Sequence, residues 1–193
     1  MIDGIGIGIG IGIGIGIDFG TVNSCVSLFV NNKQTIVFDE LGNNIIPTSV
    51  LFLENEILFG EIANTKGPKY PKHWIKDIKC IIGKTSLKEI EHYNKQHLYE
   101  IIEEDETLKI IITFPNQSIK VSIDEIAGLF FGYFKKQISK YLCFSNSDQE
   151  QIYNAIITIP AYFTENQRLA TIKAAQFANI KMLRLINEPT TSA

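Results

Sequence analysis

Apolar positions recur with a period of two through the first strands of this chain and with a period near 3.6 in two later stretches. Ile15-Gly16-Ile17 runs into Asp18-Phe19-Gly20-Thr21-Val22-Asn23-Ser24 and on into Cys25-Val26-Ser27-Leu28-Phe29-Val30. Two β-branched-rich runs thus flank a turn carrying an acid, a glycine and a hydroxyl, which predicts a β-hairpin. Residues 34–38 read as a third strand and 39–44 as a turn, with Pro47 ending the pairing on that side. Residues 50–53 and 57–59 predict a short hairpin around Glu54-Asn55, and Gly60 opens a polar, helix-like segment. After an irregular stretch at 68–71, Trp74, Ile75, Ile78, Ile81 and Ile82 recur at helical spacing. A short helix there turns Lys72, Lys76 and Lys79 to another face and stops at Gly83. Residues 86–97 are a charged surface helix or loop, and 98–102, 108–114 and 118–122 read as an antiparallel meander.

The strongest helix signal follows. Ser122 and Glu125 form a capping box ahead of Ile126, Leu129, Phe130, Tyr133, Phe134, Ile138 and Tyr141. Because this aromatic stripe keeps its period throughout, it reads as core packing rather than a cofactor groove. Residues 144–151 are a polar loop. Residues 155–159 are a continuous apolar run of the kind buried on both faces of a sheet. Thr164 and Gln167 make a second capping box for a helix to Ala178, closed by Asn179 in the left-handed region. Residues 182–186 read as another buried strand, and Asn187-Glu188-Pro189 starts a helix.

Composition narrows the function classes. The 193 residues are 45% hydrophobic and 20% charged, enough for one domain or one lobe with a real core. With a net charge of -3 and no basic cluster that would track a phosphate backbone, a nucleic-acid partner is not expected. Cys25, Cys80 and Cys143 are far apart in apolar segments and read as small buried hydrophobes of a reducing compartment. His73, His92 and His97 lack ligand spacing and read as surface residues. The Asn116-Gln117-Ser118 sequon carries no meaning without a secretory signal.

The alternating Gly-Ile tract before Asp18 is too short and too glycine-rich to span a membrane, which needs about 20 apolar residues. It lacks the basic start of a signal peptide. Strict alternation also keeps glycines at even offsets, so G-x-G-x-x-G cannot occur within it. It reads as an expansion of the first strand's own pattern, with residues 1–14 outside the fold. Gly83-Lys84-Thr85 imitates the tail of a phosphate-binding P-loop, but that motif needs Gly where Ile78 stands.

The chemistry concentrates in the first hairpin. A glycine there lets a ligand approach the backbone, and the following N–H groups can converge on an anion. An acid beside a phosphate makes sense with a cation between them, so Asp18 points to a metal-phosphate site. D-x-G-T in a hairpin is equally often a plain turn.

Three stretches together go further: Ile17-Asp18-Phe19-Gly20-Thr21-Val22-Asn23-Ser24-Cys25-Val26; Ile159-Pro160-Ala161-Tyr162-Phe163 with Gln167-Arg168 and Ala170-Thr171; and Leu183-Arg184-Leu185-Ile186-Asn187-Glu188-Pro189-Thr190. In this order the chain resembles the 70-kDa heat-shock protein chaperone family, in the first lobe of its nucleotide-binding domain. The resemblance implies an α/β fold, an actin-like, ribonuclease-H-like ATPase subdomain over 15–193 with a smaller α+β subdomain inserted at about 48–122. It implies ATP and Mg2+ as ligands, with K+ as an optional further ion. By resemblance Asp18 faces the hydrated cation, and Gly20, Thr21, Val22 and Asn23 cradle phosphate. Lys79 reaches the γ-phosphate and attacking water, and Glu188 positions that water and the magnesium shell. Pro160 and Arg168 resemble the pair that relays nucleotide state to a peptide-binding domain. Partners would be unfolded polypeptides and co-chaperones in the cytoplasm, without nucleic acid or membrane.

Two departures qualify this. Val22 replaces a threonine, and Cys80 stands where the family usually has arginine. The second lobe is not in this sequence, so the expectation is an ATPase lobe inactive by itself. The alternatives are a non-catalytic fragment or interaction module, and a small-molecule kinase of the same superfamily.

Overall fold

The computed structural model describes residues 14–30, 33–95, 97–142 and 153–188. The readings made for residues 1–13, the 144–151 loop, Cys143 and the helix from Pro189 lie outside them. The fold is mixed α/β, built on a six-stranded sheet. Its strands are β1 (Gly14–Asp18), β2 (Asn23–Val30), β3 (Lys33–Ile36), the two-residue β4 (Ile46–Pro47), β11 (Tyr153–Ile159) and β12 (Ile180–Asn187). Their order is β12-β11-β1-β2-β3, with β4 paired to the start of β2. β1, β2 and β3 are antiparallel, while β11 runs parallel to β1 and β12 parallel to β11. Pro47 is the last residue of β4 and closes its two-residue ladder with β2, lying opposite Asn23, where a missing N–H is tolerated at an edge.

Period two in β1 has the expected consequence. Ile15, Ile17 and then Phe19 are buried on one face, while Asp18 is exposed on the other. The buried face is covered by α4 (Ile123–Tyr141), which starts at the Ser122–Glu125 capping box, and by α5 (Glu165–Phe177), which starts at the Thr164–Gln167 box. Phe130, Phe131 and Phe134 of α4 are fully buried, and Phe19 packs edge-on against Phe131 with centroids 5.0 Å apart. Asn179 closes α5 with φ 53, a conformation that asparagine tolerates.

β11 and β12 are not buried on both faces. Ala155, Ile157 and Ile159 face the helices, but Ile156 is 38% exposed, and Leu183 and Ile186 are exposed too. Among the described residues both helices lie on the same side of this sheet. The opposite face, including a depression lined by Asp18, Cys25, Ile36, Ile156 and Thr158, stays open.

Two smaller three-stranded sheets occupy the middle of the chain. β5 (Ser49–Phe52) pairs with β6 (Ile57–Phe59) in the expected hairpin, followed by α1 (Gly60–Lys66). β5 also pairs with β7 (Trp74–Lys76). The helix expected from Trp74 onward is therefore a three-residue strand, followed by the single turn α2 (Ile78–Ile81). Apolar residues at 74, 75 and 78 satisfy either arrangement, and the free side of β5 decides between them. After the one-turn α3 (Glu91–Asn94), β8 (Glu100–Glu104), β9 (Thr107–Thr113) and β10 (Ser118–Ser122) form the expected meander.

Candidate functional site

Three parallel strand ends meet at one edge of the main sheet. Asp18 lies opposite Thr158, Thr158 opposite Ile186, and Ile159 opposite Asn187. Glu188 continues that edge, its N–H donating to the Ile159 carbonyl at 2.7 Å. Asp18 and Glu188 therefore sit at the same end of strands two apart, about 10 Å at ordinary strand spacing. The carboxyl ends of parallel strands are where open α/β sheets place their ligands.

The turn between β1 and β2 is shaped from beneath. Phe19 is driven into the core while Asp18 stays exposed, so the chain must reverse over residues 20–22. A Cβ at Gly20 would lie 1.9 Å from the Asn23 carbonyl oxygen, so any larger residue breaks the turn. A buried hydroxyl network then fixes it. Ser24 Oγ accepts from the Gly20 N–H at 3.2 Å and pairs with Thr48 Oγ1 at 2.7 Å, while the Thr48 hydroxyl also reaches the Gly20 carbonyl at 2.9 Å. Thr48 N–H donates to the Val22 carbonyl at 2.8 Å. The N–H groups of Thr21 and Val22 donate to no protein acceptor among the described residues, and the Val22 side chain is exposed. Two N–H groups without a protein acceptor beside an exposed carboxylate are chemically able to receive an anion and a cation together. One Asp18 oxygen accepts from the Thr158 hydroxyl at 2.6 Å, leaving the other free.

Lys79 completes the edge from a different element. It is 4% exposed and pairs with Glu188, itself 35% exposed. Its ammonium also lies 6.0 Å from the centroid of the Phe19 ring. It does not share a solvated face with Lys72 and Lys76, because β7 and the single turn of α2 replace the continuous helix. The neighbouring Cys80 is exposed, with its thiol beside the Thr21 hydroxyl. Burial and the Asp77 carboxylate raise its pKa. Cys25 is half-buried, raised by burial and by Asp18. Neither is the buried hydrophobe that its apolar neighbours suggested, since both lie at the edge where the sheet opens.

Arg168 is half-buried and held by three acceptors. These are the Phe163 carbonyl at 3.2 Å, the Ala161 carbonyl at 3.4 Å and Asn187 Oδ1 at 3.2 Å. Pro160 is buried at the end of β11, where its carbonyl accepts from the Phe163 N–H. Arg168 thus ties the 160–163 turn to the residue next to Glu188.

His97 also departs from expectation. Its ring is 8% exposed, stacked against Tyr93 and Tyr99, so it is not a surface residue. Among the described residues no three His, Cys, Asp or Glu side chains converge to cage a metal. A sparse edge of carboxylates suits a hydrated magnesium ion held through waters and phosphate oxygens. Ser24 and Thr48 escaped the sequence reading, as hydroxyls 24 residues apart leave no periodic trace.

Comparison with known proteins decides the family. The Hsp70 protein family model matches residues 14–193. The chain belongs to the Hsp70 family. It is 33% identical over 177 residues to heat shock 70 kDa protein II of Paracentrotus lividus, covering 91% of this chain and 46% of that protein. It is 31% identical over 178 residues to the heat shock cognate HSP70 protein of Trypanosoma brucei brucei, covering 91% and 25%. A heat shock protein 70 homolog of Acanthamoeba polyphaga mimivirus is 35% identical over 184 residues, covering 91% and 19%. The chain thus spans half or less of the Hsp70 relatives it matches. No helix among the described residues is long and apolar enough to cross a membrane.

Proposed function

We propose that this Hsp70 chain is the first lobe of an actin-like nucleotide-binding domain and carries one wall of an ATP·Mg2+ site. The observation that carries this reading is the pairing of the buried Lys79 ammonium with the half-exposed Glu188 at the same sheet edge as the Asp18–Asn23 turn. In this reading Gly20 keeps the turn tight, and Thr21, Val22 and Asn23 present their backbone to phosphate. Replacing threonine by Val22 removes a hydroxyl but no N–H. Lys79 donates to the terminal phosphate, and its burial strengthens that contact relative to water. Glu188 accepts a proton-bearing contact from the attacking water, and Asp18 uses its free oxygen toward the hydrated ion. When bound, magnesium supplies positive charge between the phosphates and orders water around them. K+ has no donor set assigned to it here.

Arg168, joined to both the Pro160 turn and Asn187, is suited to sense movement of Glu188 and pass it to the helix that carries it. Coupling to client polypeptides and co-chaperones belongs to the whole Hsp70 protein. With one wall of the cleft, phosphates remain wet and electrostatic catalysis is weak, so the 193-residue chain binds nucleotide without turning it over. Titration with MgATP and MgADP, alongside a phosphate-release assay, tests this. Binding lost in Asp18→Asn with no turnover in the parent supports the reading. Sustained turnover that Asp18→Asn abolishes contradicts the inactive-lobe half of it, and absence of any binding contradicts the site.

A further inference from the structure

The turn that carries Lys79 is held by a cluster drawn from α3 and the segment before β8. Asp77 precedes α2 with φ 54, a left-handed conformation that a non-glycine residue keeps only when its surroundings over-determine it. The carbonyl just before it, that of Lys76, accepts from Tyr93 Oη at 2.6 Å and from Tyr99 Oη at 3.2 Å. The two hydroxyls also lie within hydrogen-bonding reach of each other, so with two hydrogens between them one donates to the carbonyl while the other donates either there or to its neighbour. Tyr99 is buried, and the His97 ring stacks on both tyrosines, with centroids 4.1 and 5.0 Å away. From the far side His97 Nε2 stands 3.7 Å from Asp77 Oδ2. The Asp77 carbonyl then accepts from the Cys80 N–H at 2.8 Å, closing the turn on which Lys79 sits.

We infer that Tyr93 and Tyr99 are positioning residues for Lys79. Their hydroxyls clamp the Lys76 carbonyl, fix the left-handed step at Asp77 and so set the direction from which the ammonium meets Glu188 and a terminal phosphate. The inference rests on the proposed ATP site, because only there does the aim of Lys79 have a chemical consequence. His97 packs against both rings, and α2, a single turn closed by the Ile82 N–H to the Ile78 carbonyl, depends on this bracket from α3 and the segment before β8.

The test uses the 193-residue chain with Tyr93→Phe and Tyr99→Phe, which keep the rings and remove the hydroxyls. Affinity for MgATP is expected to fall about tenfold, the size of one charge-assisted hydrogen bond. Affinity for MgADP, which lacks the phosphate Lys79 meets, changes less than about twofold. Lys79→Met produces the same ATP-selective loss, and adding Tyr93→Phe to it costs nothing more, as expected for residues acting through one another. Equal losses for both nucleotides, or additive losses with Lys79→Met, overturn the inference in favour of a merely structural role. Should the parent chain bind no nucleotide, the ATP-site reading fails by itself. Amide exchange then decides the bracket: faster exchange at Cys80 and Ile82 in both variants, with β9 unchanged, supports it, and unchanged exchange overturns it.

Discussion

Replacing Glu188 by glutamine leaves the Lys79 ammonium inside the protein facing a neutral amide. Lys79 is 4% exposed, whereas Glu188 is 35% exposed. Breaking a fully buried pair costs about 3–5 kcal/mol, because the remaining charge is desolvated without compensation. Water reaches this pair from the Glu188 side, so the expected cost is about 2 kcal/mol, which lowers the melting temperature by roughly 4–8 °C in a chain of this size. Lys79→Met is expected to cost less, under about 1 kcal/mol. The carboxylate left behind is already partly solvated, and exposed pairs contribute that little. The methionine also retains apolar bulk beneath Phe19. The double variant should recover most of the Glu188→Gln loss. Urea denaturation of all four proteins, repeated at high salt, closes the cycle. A buried pair keeps its coupling in salt, whereas a surface pair is screened. A Glu188→Gln cost below about 0.5 kcal/mol, or a Lys79→Met cost larger than that of Glu188→Gln, refutes the argument that burial of the ammonium sets the energetics.

Two further outcomes follow from the same geometry. Thr48→Val removes a buried hydroxyl shared by Gly20 and Ser24. It should cost about 1–3 kcal/mol in urea denaturation and weaken nucleotide binding, with Thr48→Ser restoring both. His97 has its pKa lowered from 6.5, first by burial and then by nearby Lys76, against an opposing pull from Asp77. The unfolded chain therefore takes up this proton first as pH falls. Stability is full above 6.5 and declines from there down to the folded value. Urea midpoints between pH 7.5 and 5.5 should show that decline, and His97→Phe should flatten it; an unchanged slope contradicts the burial.

What sequence revealed here was what local chemistry decides. Period two placed Ile15, Ile17 and Phe19 inward and Asp18 outward. Two capping boxes started α4 and α5 where they stand, and Asn179 closed α5, because each feature is settled within one turn of chain. Beyond Asp18, which the hairpin also marked, Lys79, Pro160, Arg168 and Glu188 were singled out by the family resemblance rather than by local pattern, and the roles of all five remain proposals. That Asp18 and Glu188 lie near each other was implied only by the resemblance, because it depends on β11 pairing parallel to β1 across more than a hundred residues, which no local pattern reports. The local reading failed where partners from elsewhere decide. Trp74–Lys76 became a strand because β5 had a free side, and Lys79 turned inward because Glu188 waited there. His97 was buried by two tyrosines at positions without metal spacing. Cys25 and Cys80 sit in apolar segments but open onto the sheet edge. Ile156, Leu183 and Ile186 show how an apolar run reads as doubly buried when only one face is covered.

The central claim is that the Asp18–Asn23 turn and the Lys79–Glu188 pair form one wall of a triphosphate and magnesium site. Amide hydrogen exchange on the 193-residue chain, with and without MgATP, tests it most directly, since exchange reports local opening residue by residue. The account predicts slower exchange at Gly20 through Ser24 and at Cys80 through Ile82 on adding nucleotide, with the β8–β10 meander unaffected. Protection confined to other segments, or no change at saturating MgATP, contradicts it.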